Sequence, residues 1–121
     1  MAQSRVAIVT TAGLYADGDA GWSRGDQTFR VLPAKDRDVR LGHQSANFDR
    51  TGYLLDVNVV YPVDRVDEMK DDGTLGSLGP RNLSFMGAQA GTLETIRLDS
   101  GPAAAALLRD DGVDVVLLTP V

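Results

Sequence analysis

The sequence contains no cysteine. That absence excludes a disulfide framework, a thiolate metal site and a thiol nucleophile within these residues. Histidine occurs once, at position 43, and a lone histidine is not a metal site, so no metal is expected. Positive charge is scarce, with 12 Lys and Arg against 17 Asp and Glu and a net charge of −5 at pH 7. Without a basic stripe to displace counterions, a nucleic-acid partner is not expected. No apolar run approaches the ~20 residues that span a bilayer, which argues against a membrane partner. Loops of the form GxxxxGK and well-formed GxGxxG turns are missing too, and with them the usual sequence signal for a phosphate cradle.

What is present fits one globular domain over residues 1–121. Hydrophobic residues make up 43% and charged residues 24%, near the globular average. Residues 5–11 (RVAIVTT) are apolar and β-branched and end near Gly13, which predicts a strand buried on both faces. The one Arg and short apolar stretch at the start read as this first strand and not as a signal peptide, so a cytoplasmic protein is the expectation. Residues 16–25 (ADGDAGWSRG) form a polar, Gly-rich loop around the only Trp. Residues 28–33 and 38–43 alternate as short strands. Val57, Val59 and Val60 read as extended. Pro62 then opens a helix in which Val63, Val66 and Met69 share a face, and Gly73 ends it. Residues 82–91 are a short apolar stretch, either a strand end or a loop. Residues 101–112 (GPAAAALLRDDG) form a helix from Pro102 to the stop at Gly112. They lead directly into residues 113–118 (VDVVLL).

Helix, Gly and strand in that order are the second half of a β-α-β crossover, which makes the first and last strands parallel neighbours or near neighbours. The expected fold is therefore α/β, a three-layer Rossmann/flavodoxin-like arrangement with a mainly parallel sheet, truncated. The last strand is expected inside that sheet or exposed at its edge. Ligands of open parallel sheets bind beyond the carboxyl ends of the strands. There stand Thr10, Thr11 and Gly13 after the first strand, and Thr119 and Pro120 after the last. Taken alone, the threonines read as strand-end residues bonding their own backbone. His43 is either structural or an acid-base or substrate-orienting group, helped by Asp49 six residues on. Asp64 serves a helix dipole, or else holds Arg65 as an anion-binding cation. Ser84 and Gly87 flank Phe85 and Met86, which read as core, and Gly87 permits a turn or a close backbone approach.

The stretches AIVTTAGLY, GHQSANFD, DVNVVYPVDRV, GTLGSLGPRNLSFMG and DGVDVVLLTPV together resemble the amino-terminal part of the glycine/sarcosine/betaine reductase selenoprotein B family. They cover most of the chain in the family's order. The resemblance implies an oxidoreductase that uses a disulfide as acceptor and cleaves a small amine substrate reductively together with other reductase-complex proteins. It also implies that the strand resembling VVLLTPV is followed at once by a catalytic selenocysteine or cysteine. That redox centre is then expected downstream of Val121, with no cofactor within the chain. Thr10, Thr11, Gly13, His43, Asp49, Arg65, Ser84, Gly87 and Thr119 are the substrate-binding candidates, expected to gather on one side of the sheet.

Three readings remain open at this stage. The first is a shortened family reductase, inactive alone, with codon 121 expected to be followed in frame by UGA. The second is a non-catalytic small-ligand-binding or scaffold module. The third is a subunit completed by a separate partner chain. Self-association or a partner subunit is expected in each, because a truncated parallel sheet leaves strand groups unpaired.

Overall fold

The computed structural model of the chain describes residues 1–121. Its central element is strand β1 (Arg5–Thr10), in which Val6, Ala7, Ile8 and Thr10 are buried. Along one edge β1 pairs in parallel with β7 (Val115–Thr119), from Val6 opposite Val115 to Thr10 opposite Thr119. Along the other edge it pairs in parallel with two short strands in succession, β5 (Ser77–Leu78) near its start and β6 (Arg81–Ser84) near its end. Strand β3 (Arg30–Pro33) runs antiparallel outside β6, while β2 (Leu14–Ala16) and β4 (Val39–Leu41) form a separate antiparallel pair. The architecture is thus mixed α/β with a mixed sheet, in which β1, β5, β6 and β7 run parallel, as the sequence predicts, and β3 runs antiparallel. The antiparallel members are the short strands of the first 41 residues, which carry no helix between them to bring the chain back in the same direction.

Gly79 still donates its N–H to the Val6 carbonyl at 2.8 Å, but the chain then turns through Pro80 and the Ile8 N–H meets no backbone carbonyl. The Asn82 side chain fills the gap. Its Oδ1 accepts the Ile8 N–H at 2.7 Å, and its Nδ2 donates to the Tyr61 Oη at 2.8 Å. All three residues are buried, and burial pushes the Tyr61 phenol up to about 12.

Successive residues of a strand point to opposite faces. Val6 and Ile8 join a core with Leu14, Leu32, Val60, Tyr61 and the α2 residues Val63 and Val66. Ala7 joins a second core with Leu83, Phe85 and the α3 residues Ala104 and Leu108. Helix α2 (Val63–Asp71) begins after Pro62 and is followed by Gly73 at φ +82°. Helix α3 (Gly101–Asp110) is followed by Gly112 at φ +70°. Both stops are where the sequence predicts them. Met69 differs: it is 38% exposed, while Val63 and Val66 carry the contact. A π-helical turn, Ile96–Ser100, runs into α3, and the short helix α1 (Arg50–Leu55) follows an Asp49 cap; neither has a periodic signal in the sequence. No helix is long and apolar enough to cross a membrane.

One local expectation is corrected. Residues 57–60 are not extended, because Val57–Val59 form a 3-10 turn. The Asp56 carboxylate accepts from the Asn58 N–H at 2.9 Å and starts it. The last strand, apolar on both faces, sits at the sheet edge, where Val116, Leu117 and Leu118 are exposed. Its start is locked to β1 by Asp114, which donates its N–H to the Arg5 carbonyl and accepts the Arg5 N–H on its carboxylate. A two-pronged Arg81–Asp111 pair at 2.6 and 2.8 Å ties β6 to the end of α3.

Replacing Asn82 with Ala orphans a buried N–H and a buried phenol. The expected loss is about 2–4 kcal/mol of unfolding free energy, read by urea denaturation. A loss below about 0.5 kcal/mol would mean that the ladder gap is bridged in some other way.

Candidate functional site

The carboxyl ends of β1 and β7 are held together by one acceptor. Thr10 Oγ1 and Thr119 Oγ1 both donate to the Val60 carbonyl, at 2.8 and 3.1 Å. Thr10 is fully buried and also accepts the Ala12 N–H at 3.1 Å, so its hydroxyl is a strand-end fastener. Ser84, equally buried, accepts the Leu14 N–H at 2.8 Å. Neither hydroxyl is free to meet a ligand. The 3-10 turn at Val57–Val59 is what brings the Val60 carbonyl over the strand ends.

One residue further along, Thr11 and Gly87 hold the chain end. Thr11 Oγ1 accepts the Val121 N–H at 2.8 Å, and the Thr11 carbonyl accepts the Gly87 N–H at 2.8 Å. A Cβ on Gly87 would lie 2.7 Å from the Val121 oxygen and 2.9 Å from the Thr11 oxygen, so only glycine fits. Gly13, at φ +67°, accepts the Gly42 N–H and donates to the Phe85 carbonyl, both at 2.9 Å. A Cβ there would meet Met86 at 2.8 Å and the His43 backbone at 3.2 Å. The two glycines therefore let Gly42–His43 and the Gly87 turn approach the end of β1.

This approach creates a cavity of about 270 Å³ lined by His43, Ser45, Asn47, Phe48, Asp49, Gly87, Ala88 and Val121. A neighbouring cavity of about 300 Å³ shares Gly87 and is lined by Thr11, Phe85, Met86 and Leu93. His43 is 5% exposed, its ring stacked on Phe48 at 4.5 Å between centroids. Its Nδ1 accepts the Ser45 N–H at 3.2 Å, and its carbonyl accepts from Arg50 Nη2 at 2.8 Å. Its Nε2 is buried without a partner. Burial holds the imidazole below its ordinary value, and the positive Arg50 adds to the effect. Asp49 stands exposed at the rim with its carboxylate on the Thr51 N–H at 2.9 Å, which lowers its pKa.

Of the nine candidates, the structure brings His43, Asp49 and Gly87 to one cavity, with Thr11 and Gly13 supporting its walls. Thr10, Ser84 and Thr119 lie beneath it as fasteners. Arg65 is not brought in; it sits exposed on α2, paired with Glu68 at 2.8 Å. Its neighbour Asp64 is paired with Arg37 instead, at 2.8 Å. The wall residues Ser45, Asn47 and Phe48 were not singled out in the sequence. They belong to the GHQSANFD stretch, but nothing in their spacing marks a wall. A larger groove of about 660 Å³, lined in part by Arg5, Lys35, Asp67 and Lys70, lies at the opposite end of β1 and contains no candidate residue. In open α/β sheets the ligand end is the carboxyl end, which favours the smaller cavity. No group of three or more His, Cys, Asp or Glu is placed to hold a metal ion.

Comparison with known proteins adds one likeness. The chain is similar to D-proline reductase subunit gamma of Acetoanaerobium sticklandii. The two are 34% identical over 117 residues, 94% of this chain and 47% of that protein. The chain thus spans about half the length of this relative. The relative is a reductase subunit, as the sequence resemblance implies, but it is named for D-proline and not for glycine, sarcosine or betaine. No family model matches the chain, and no solved structure matches it.

As the sole histidine, His43 gives one resolvable imidazole titration. Its midpoint is expected below 6.5 and should rise when Arg50 is replaced by Leu. Below pH ~6.5 the unfolded chain takes up a proton that the folded chain resists, so stability falls as pH drops from there through the folded midpoint. Urea midpoints from pH 7 to 5 should show that fall in the native sequence and a flatter profile in His43→Phe. A proton NMR midpoint at or above 6.5 would contradict the burial argument.

Proposed function

We propose that the chain is a subunit, or part of a subunit, of an oxidoreductase of the proline/glycine reductase type. In this reading the cavity beside His43 receives the reacting end of a small amine substrate. The likeness to D-proline reductase subunit gamma over 94% of the chain carries the proposal. The position of Val121 in the same cavity wall as His43 and Gly87 supports it. The packing of α2 and α3 against opposite faces of β1 supports a three-layer, Rossmann/flavodoxin-like assignment. A cytoplasmic location suits thiol-dependent chemistry, because that compartment keeps thiols reduced.

The redox centre is a selenolate or thiolate carried just beyond Val121 or on a partner chain, since residues 1–121 contain no cysteine. Such a group, together with a second thiol, would supply the two electrons and two protons of a reductive C–N cleavage, the pair becoming a disulfide-type bond while the carbon and the nitrogen each gain a hydrogen. The chain's own residues do the positioning. Thr11 and Gly87 fix the backbone of Val121 at the cavity. Phe48 gives an apolar wall that excludes water, and the Asp49 carboxylate offers a counter-charge at the rim to a protonated amine.

Purified chain with a dithiol should consume neither D-proline nor glycine. A cysteine-bearing segment, fused downstream or co-expressed as a partner, should produce dithiol-dependent loss of one of them. Turnover by residues 1–121 alone, or none in any complemented form, would overturn the proposal.

The exposed edge of β7 favours a second reading, a non-catalytic ligand-binding or scaffold subunit completed by another chain. Val116, Leu117 and Leu118 are uncharged and exposed on a strand paired on one side only, a surface suited to strand addition. Sedimentation velocity is expected to show species heavier than the 12.9 kDa monomer, and Leu118→Lys should return them to monomer. A monomer at all concentrations would remove this support.

A further inference from the structure

We infer that His43 serves the cavity as a neutral, fixed hydrogen-bond donor, presenting Nε2–H to an acceptor oxygen of the bound molecule and not acting as a base. The inference rests on the proposed reading of the cavity and assigns the chemistry of its one buried unpartnered donor. Every other part of the residue is engaged. The backbone is pressed against Gly13, the carbonyl is held by Arg50, and the ring face lies on Phe48.

The decisive contact is the Ser45 N–H on Nδ1 at 3.2 Å. A backbone N–H only donates, so Nδ1 must present its lone pair, and the neutral ring then carries its proton on Nε2. A base needs a free lone pair, and the ring's only one is occupied. What remains is Nε2–H, buried and without an acceptor in a residue that forms part of the cavity wall. Buried donors are paired in the great majority of proteins, and an entering acceptor oxygen would complete this one. The burial and Arg50 charge that keep the ring neutral agree with this role, whereas Asp49 at the rim is turned to the Thr51 N–H and does not meet the ring in any hydrogen bond.

The test uses the full 121-residue chain, labelled with nitrogen-15, and sodium acetate and glycine as probes. A long-range proton–nitrogen spectrum at pH 7 should report the Nε2–H tautomer, and an Nδ1–H tautomer would overturn the inference. Titration with either probe should shift the Nε2 and Hε2 resonances. His43→Phe keeps the stacked ring volume but has no donor, and should weaken probe binding by roughly tenfold or more. His43→Gln restores an N–H near the Nε2 position and should recover much of that loss. If Phe48 and Gly87 resonances respond to a probe while Hε2 does not, or if His43→Phe binds normally, the donor role fails and the cavity reading stands. If no cavity residue responds to either probe, both fall.

Discussion

The structure depends on a repaired ladder. β1 has neighbours along both edges, and one of them is broken in the middle by the turn through Pro80, where a continuous strand would have offered a backbone carbonyl to Ile8. Asn82 replaces that carbonyl with a side-chain amide, and its other end reaches Tyr61 on the adjoining layer. One residue thereby closes the β1 ladder and joins the sheet to the segment that leads into α2. A buried N–H without this partner would carry the full desolvation cost of an unmade hydrogen bond.

From that fixed strand the carboxyl edge is assembled by convergence. The Val60 carbonyl collects the hydroxyls of Thr10 and Thr119, which sets the ends of two parallel strands level. Thr11 and Gly87 then seat Val121, and Gly13 admits the backbone of His43. Several polar residues here are structural because their hydrogen bonds are complete. His43 differs because one of its two nitrogens is held and the other is not. The contrast between satisfied and unsatisfied buried groups separates scaffold from site more sharply than polarity alone.

The sheet leaves β7 with one neighbour although its sequence is that of a strand covered on both faces. Apolar side chains at an open edge carry a cost in water, and the unpaired backbone groups of such an edge leave it open to strand addition. The chain spans about half the length of the reductase subunit it is similar to.

Much of this was legible in the sequence. The β-branched run at the start, the Pro62-to-Gly73 and Pro102-to-Gly112 helices, and the parallel pairing of first and last strands follow from local propensity, capping and short-connection rules, which act over a few residues. The GHQSANFD and SFMG stretches contain residues that the fold gathers at two neighbouring cavities. Other features needed distant partners. The 3-10 turn at Val57–Val59, the roles of Thr10 and Ser84 as fasteners, the exclusion of Arg65 and the lone Nε2 of His43 each depend on contacts between residues far apart in the chain or on burial. The sequence by itself determined the first and last strands, the helices α2 and α3, and that no cysteine chemistry resides in residues 1–121. Only the tertiary structure decided which polar groups are satisfied and which stands free, because hydrogen-bond satisfaction is a property of the neighbours that folding supplies.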